Sequence, residues 1–348
     1  MDLVLDILDT FAFDWVYSTL LPASGPTTHN GVHNQAISEY IPLKASEWAD
    51  KSTLQRDNIL RQTISLFIIA WLFGTLVYLT TSTLSYIFIF DKKTLTHPKF
   101  LTRQIPLELR TALSAIPIMA LLTVPFFLAE VRGYSKLYSS TPSSSSFSSS
   151  APFPLYNILQ YPLFIAFTDC AIYWIHRYEH HPRVYKWLHK RHHRWIVPTP
   201  YASFAFHPVD GWAQSVPYHV FPFLLPLEKR AYLALFGFVT VWTVFIHDGE
   251  YVTRSAVING SACHTYHHLY FNYNYGQFTT LWDRLGGSYR EPDPDLFDPK
   301  TKMGKKQWEK QVAEMEKIVR EVEGVDERDY VDEDERVGNS GKVGGKEE

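Results

Sequence analysis

The chain has only two cysteines in 348 residues, Cys170 inside an apolar run and Cys263 beside His264. No disulfide framework is implied, and packing explains both thiols better than metal ligation does. Charge of one sign is also lacking: a formal net charge of −3 excludes a strongly basic nucleic-acid binder by composition. Residues 1–21 are apolar, yet they hold Asp2, Asp6, Asp9 and Asp14 and no basic residue, which is wrong for a signal peptide. They read as an interfacial or packed segment. No histidine is followed by glutamate, so the H-E-x-x-H zinc-protease signature is missing. No E-x-x-H pair occurs either, which removes the carboxylate di-iron bundle.

What is present begins with long charge-free runs. Residues 64–90 carry no charge and as a helix span roughly 40 Å, enough to cross a tilted bilayer. The following connection carries Lys92, Lys93, Lys99, Arg103 and Arg110, and the positive-inside rule puts it in the cytosol. Residues 111–129 form a second run, with Pro117 and Pro125 as expected kinks. A nearly pure serine loop at 139–150 follows on the lumenal side. Residues 155–175 cross back, interrupted only by Asp169, and deliver His176 to the cytosolic face. Runs at 211–227 and 231–246 are short for spans but work as a helical hairpin that returns the chain to that face. Asn259-Gly260-Ser261 then falls in the cytosol, so its match to a glycosylation acceptor is chance. Residues 305–323 place Trp308, Val312, Met315, Val319 and Val322 at helical intervals, an amphipathic helix. Residues 326–348 are acidic and glycine-rich and read as disordered.

The expected fold is an all-α integral membrane protein of about four transmembrane helices with a cytosolic, histidine-rich helical cap holding a di-metal site. It divides into an interfacial or lumenal segment (1–60), two spans and the serine loop (61–154), a catalytic domain (155–299) and a cytosolic helix with its tail (300–348).

A lone histidine is more often a packed residue than a ligand, but twelve of the fifteen lie between His176 and His268. On a helix, positions i, i+3 and i+4 share a face. That groups His189 with His192 and His193, His264 with His267 and His268, and His176 with His180. Pro182 ends the first helix and leaves open whether His180, His181 or both point inward. Neutral imidazole suits iron, zinc and copper, so three such groups can hold more than one metal ion. His247, in H-D-G-E at the close of the hairpin, is the best single ligand outside the boxes, with Asp248 and Glu250 beside it. His207 is a possible further ligand, although H-P is also an ordinary turn; His219, inside an apolar run, reads as core. Asp169 shares a helical face with Tyr173 and His176 and is a candidate to orient a ligand from behind.

The motifs H-R-Y-E-H-H, L-H-K-R-H-H, H-P-V-D-G-W-x-Q-S, I-H-D-G-E-Y and the long stretch from His264 to Arg290 resemble the sterol C-5 desaturases of fungal type, in the fatty acid hydroxylase superfamily. The resemblance covers roughly residues 64–299. It implies an endoplasmic reticulum enzyme that introduces the C5=C6 double bond into a Δ7-sterol on the ergosterol route. It also implies a di-iron centre, O2, and two electrons from NAD(P)H through cytochrome b5 or its reductase. The expected ligands are then His176, His180, His181, His189, His192, His193, His247, His264, His267 and His268. No side chain beyond them need act as general acid or base. No H-P-G-G haem motif occurs, so the electron donor is a separate partner. Arg177, Arg183, Lys186, Lys190, Arg191 and Arg194 form a basic surface suited to an acidic donor. The aromatic arms at 271–275 and 278–282 are suited to roof an apolar substrate. The rival in the same superfamily is a C-4 methyl sterol oxidase or lipid hydroxylase; the rival from another class is a histidine-rich metal transporter.

Overall fold

Inside a bilayer nothing but the chain itself can satisfy backbone N–H and C=O groups, so an isolated apolar run must become a helix. The computed structural model describes residues 1–25, 35–139, 152–251 and 254–331. After an N-terminal helical segment, its principal helices are α1 (Ile59–Phe88), α2 (Gln104–Val131), α3 (Tyr156–Glu179), α4 (Pro182–Tyr185), α5 (Pro208–Leu224), α6 (Lys229–Ile246), α7 (Ser261–Tyr270), α8 (Leu281–Leu285) and α9 (Lys305–Val322). The chain is an all-α membrane protein: α1, α2, α3 and α6 are each long and apolar enough to cross a membrane. Only 22% of the apolar window of α1 is buried, which leaves a surface suited to lipid and unsuited to water. Helix α5 has 17 residues, with Pro217 and Pro222 inside it. Of the serine loop, Ser139 is described and buried; residues 140–150 lie outside the described residues.

Helix α2 starts well before the charge-free run because Glu108 needs no solvent. Its carboxylate accepts from Gln104 Nε2 at 2.7 Å and from the backbone N–H and hydroxyl of Thr199. Gln104 also donates to the Val197 carbonyl, 2.8 Å away. The helix runs unbroken through Pro117 and Pro125.

The chain forms two compact units. The first comprises Met1–Gly74, Ala120–Phe164 and Val216–Gly237. In it the N-terminal aspartates are paired, which makes that segment a packed one. Asp2 meets Lys229 at 2.7 Å, Asp9 and Asp14 meet the buried Arg61 at 2.7 and 2.6 Å, and Asp14 also binds Arg56. Asp6 accepts from the Ala36 and Ile37 N–H groups. Buried charge persists only when paired in this way. His219 is core here, its ring against Phe126, Phe127 and Phe236 and its Nδ1 3.2 Å from the Tyr232 hydroxyl. A two-residue parallel pair joins Leu137–Tyr138 to Leu227–Glu228.

The second unit comprises Thr75–Met119, Ile165–Ser215 and Phe238–Glu348. One apolar cluster gathers Tyr78, Leu101, Ala112, Ile116 and Trp195; another gathers Tyr185, Tyr266, Tyr270, Phe271, Met315 and Val319, with α9 closing it. The expectation of disorder from residue 326 onward is corrected over 326–331. Tyr330 bridges Leu101, and Val331 N–H donates to the Phe100 carbonyl at 3.1 Å. Composition missed this because Arg328 and Tyr330 find partners inside an otherwise acidic tail. Residues 332–348 lie outside the described ones.

Gly286 is glycine for lack of room. A Cβ there would stand 1.8 Å from Tyr173 Oη and 2.6 Å from Arg177 Nη1. Gly286→Ala must push apart the Tyr173–Ser288 hydrogen bond and the Arg177 bond to the Gly286 carbonyl. We expect a loss of about 1–3 kcal/mol, the usual cost of overpacking, read as a shorter half-life of the detergent-extracted protein on heating. An unchanged half-life would show that the approach is not tight.

Candidate metal centre

Helix α3 carries His176 in its last turn and stops because Pro182 follows; His180 comes directly after its end, its N–H still donating to the His176 carbonyl at 3.2 Å. His181 is thereby extended (φ −62°, ψ 134°), exposed to solvent, and accepts from Arg183 N–H through Nδ1 at 3.3 Å. Of the pair left open by the sequence, His180 turns inward and His181 caps α4. Box two is not the regular helix its spacing suggests. Residues 186–194 are successive turns, with the N–H groups of both His192 and His193 directed to the His189 carbonyl. Box three is α7, and His247 follows the end of α6.

Nine imidazoles converge in two groups, all buried but the half-buried His180: His176, His180, His189, His193 and His267 in one, and His192, His247, His264 and His268 in the other. Boxes two and three each divide. His192 leaves His189 and His193 for the second group, and His267 leaves His264 and His268 for the first. The groups adjoin, with the His193 and His268 ring centres 5.1 Å apart. His207 joins neither; half-buried at the start of α5, it accepts from Val209 N–H at 3.3 Å.

Four rings have their tautomer fixed by partners that only accept. His176 Nδ1 faces the Tyr275 carbonyl at 2.9 Å, His267 Nδ1 the Tyr273 carbonyl at 2.8 Å, His247 Nδ1 the Thr243 carbonyl at 2.7 Å, and His189 Nδ1 the Asp210 carboxylate at 2.9 Å. Each Nδ1 carries the proton, so each Nε2 presents a lone pair. Yet His176 Nε2 and His189 Nε2 stand 3.1 Å apart, so that as neutral rings they set two lone pairs against each other. His193 Nε2 is 3.1 Å from His180 Nε2 and 3.0 Å from His267 Nε2, and His264 Nε2 lies 2.9 Å from His247 Nε2 and 3.1 Å from His268 Nε2. One ring nitrogen with a single in-plane proton or lone pair cannot satisfy two such neighbours. A metal ion can: two imidazoles bound at about 2.1 Å and at right angles place their nitrogens about 3.0 Å apart. The donor set fits a metal centre.

The rings stay available as neutral ligands. Burial first, then the crowding of other imidazoles, holds His180, His192, His193, His264, His267 and His268 well below the usual histidine range. Burial takes His247 down to about 4. The sign of the pH dependence follows. Below about 6.5 the unfolded chain binds protons that the fold refuses, so the stability of the metal-free protein is full above that pH and drains as pH falls toward 4. For His247 alone the slope is about 1.4 kcal/mol per pH unit. Denaturant midpoints of chelator-stripped protein should fall between pH 7.5 and 5; a flat profile would mean that these rings are solvated. Burial pushes Cys263 up to about 12, so it remains a thiol.

The orienting partners differ from those expected. Among the described residues, Asp169 bonds to no histidine ring. It accepts from the N–H groups of Gln277, Phe278 and Thr279 and from the Thr279 hydroxyl at 2.5 Å, and Asp283 accepts from Tyr275 and Gly276 N–H. Together they clasp the loop whose carbonyls hold His176 and His267. Asp248, which burial raises to about 7, binds Glu250 N–H at 2.7 Å, and Glu250 pairs with Lys302 at 3.2 Å. Neither reaches a ring, because both lie beyond the turn that aims His247 inward.

The partner that sequence reading missed is Asp210, buried at the first turn of α5. Gln214 donates to it at 2.8 Å and to Glu179 at 2.9 Å. The spacing from Asp210 to Gln214 in H-P-V-D-G-W-x-Q was the available signal. The carbonyl pair depends on Phe271 and Asn274, whose φ values of 60° and 57° fold the chain back on itself. Asn274 tolerates this by binding the Cys263 and Arg290 carbonyls and Arg290 N–H.

The aromatic arm packs on the imidazoles. Phe271 stacks on His193 at 4.7 Å and Tyr275 lies 5.0 Å from His180, while Phe206, from outside the arm, covers His192 at 4.5 Å. Of the basic surface, Arg177 is engaged by Tyr173 and Gly286, and Lys190 by Glu323 and Glu327. Arg183, Lys186, Arg191 and Arg194 remain exposed.

Comparison with known proteins adds the following. The fatty acid hydroxylase family model matches residues 161–288. The chain is 61% identical over 334 residues to the Delta(7)-sterol 5(6)-desaturase erg3B of Aspergillus fumigatus, covering 95% of this chain and 98% of that protein. It is 56% identical to a probable Delta(7)-sterol 5(6)-desaturase of Neurospora crassa, with 95% and 97% covered. To the Delta(7)-sterol 5(6)-desaturase ERG3 of Saccharomyces cerevisiae it is 47% identical, with 94% and 96% covered. No solved structure matches the chain.

Proposed function

The chain belongs to the fatty acid hydroxylase family, in its Δ7-sterol 5(6)-desaturase branch, and from that premise we propose that the two histidine groups hold a pair of irons serving C5=C6 desaturation of a Δ7-sterol. The observation that carries the reading is the meeting of nine imidazoles, eight of them buried and His180 half-buried, with the fixed lone pairs of His176 and His189 facing each other. A di-iron centre bound there supplies the oxygen-activating redox chemistry: O2 and two electrons, together with two hydrogens from the sterol and two protons, end as two waters. His176, His180, His189, His193 and His267 hold one metal, and His192, His247, His264 and His268 the other. Thr243, Tyr273, Tyr275 and Asp210 keep the Nδ1 of His247, His267, His176 and His189, respectively, protonated and those four Nε2 atoms aimed inward. Phe206, Phe271 and Tyr275 exclude water from the rings, so that the reacting carbons meet no competing nucleophile. Regiochemistry is a matter of positioning, since a slip of one carbon would give a hydroxylated product or a misplaced alkene.

In this reading the chain sits in the endoplasmic reticulum with the histidine groups on the cytosolic side. The exposed Arg183, Lys186, Arg191 and Arg194 steer an acidic donor, cytochrome b5 or its reductase, fed by NAD(P)H. The names of the relatives favour the C-5 branch over a C-4 methyl oxidase or a hydroxylase, and over metal transport.

The test has two arms. Expression in a fungal strain that lacks its own desaturase should turn accumulated Δ7-sterols into Δ5,7-sterols, and the purified protein should carry about two irons per chain. Continued accumulation of Δ7-sterol despite membrane-inserted protein would reject the activity. Product formation by protein free of iron would reject the centre.

A further inference from the structure

We propose that residues 323–331 form a strap that positions box two, with Arg328 as its positioning residue; this rests on the reading of the histidine groups as a metal centre. The Arg328 side chain is only 5% exposed. Its Nη2 donates to the His193 carbonyl at 2.8 Å and its Nε to the Arg194 carbonyl at 3.3 Å. The rest of the fork is taken by Glu323, at 2.8 and 3.1 Å, and by Asp326 at 3.0 Å. Those acids are tied in turn: Tyr185 donates to Glu323 at 2.8 Å and Tyr330 to Asp326 at 2.7 Å. Beyond them, Thr102 N–H donates to the Asp329 carbonyl at 3.0 Å and Tyr330 bridges Leu101. The strap is thus fastened at both ends.

Box two needs such a device for a backbone reason. Its turns end at Arg194 and residues 195–199 are not helical, so no next helical turn presents N–H groups to the carbonyls of His193 and Arg194. Arg194 is exposed, so water can serve its carbonyl, but His193 is buried and its carbonyl would be costly to leave without a donor. The planar guanidinium provides several donors in one rigid fork and serves two successive carbonyls and two carboxylates together; an ammonium lacks that geometry. His193 is the ring whose Nε2 stands between His180 and His267, so an error in its backbone position passes directly to the first group. Arg328 lies outside the region matched by the family model, 161–288.

Arg328→Lys in the full chain keeps the charge and loses the fork. Outer partners of metal ligands typically change performance 10–100-fold. We expect kcat to fall about tenfold or more, with membrane protein level and KM for Δ7-sterol within about twofold of wild type and a changed Mössbauer spectrum of bound iron. Lys310→Ala, which removes the ion pair with Asp293, should leave all of these unchanged. An Arg328→Lys chain with wild-type kcat and spectrum overturns the proposal. So does a fall in activity matched by an equal fall in protein level, which would make Arg328 a folding residue only. A wild-type chain that binds no metal overturns the reading beneath the proposal, and the wild-type iron measurement separates that case.

Discussion

His193→Ala should lower desaturation by more than about 100-fold, because losing even an outer partner of a metal ligand costs 10–100-fold and His193 stands at the centre of the first group. Its Nε2 faces those of His180 and His267, its ring is buried, and Phe271 stacks on it. Alanine removes the shared nitrogen and leaves the neighbouring lone pairs without their common partner. His181→Ala is the matched comparison: same residue type, same motif, but an exposed ring that accepts from Arg183 N–H and stacks on Tyr178 at 6.3 Å. Its loss costs at most about 1 kcal/mol of local stability and should leave turnover within about twofold. Sterol analysis of microsomes normalised to immunoblotted protein, with iron per chain on purified samples, reads both variants. An active His193→Ala or an inactive His181→Ala would mean that the two groups are not the working site.

That contrast also marks where sequence stopped being informative. Charge-free runs announced the spanning helices, because apolar length is a local property that a bilayer rewards directly. The three boxes announced a metal-binding face for the same reason, helical spacing being local. Which imidazole meets which is not local. His192 and His267 cross to the opposite groups because box two is a chain of turns and because α7 presents two sides to two neighbours. The carbonyls of Tyr273 and Tyr275 carry no side-chain signature, and their aim depends on backbone reversals at Phe271 and Asn274. Asp169 lay on the expected helical face and in a functional region, yet it serves the loop and no ring, since helical spacing indicates which residues share a face and says nothing of what stands opposite. Residues 326–331 were misjudged by composition for a similar reason: one arginine with five hydrogen bonds outweighs many acidic neighbours.

Asp210→Asn is the second large effect, expected at 10–100-fold in turnover or metal retention with little change in protein level. The carboxylate accepts on both oxygens, from His189 Nδ1 at 2.9 Å and from Gln214 Nε2 at 2.8 Å. Asparagine has the same shape with one oxygen replaced by an amide NH2, and either orientation fails. With the NH2 toward His189, two donors face each other until the ring shifts its proton to Nε2, which abolishes the lone pair the centre requires. With the NH2 toward Gln214, two amide donors collide, and Gln214 cannot turn without losing its bond to Glu179. Asp210→Ala removes the acceptor without offering a competing donor, so its ring can still settle in the correct tautomer part of the time. The order of activity should therefore be wild type, then Ala, then Asn. That order separates tautomer control from simple loss of charge, which would make the two variants equal. Asparagine retaining wild-type turnover would show that Asp210 does not govern which nitrogen of His189 is free.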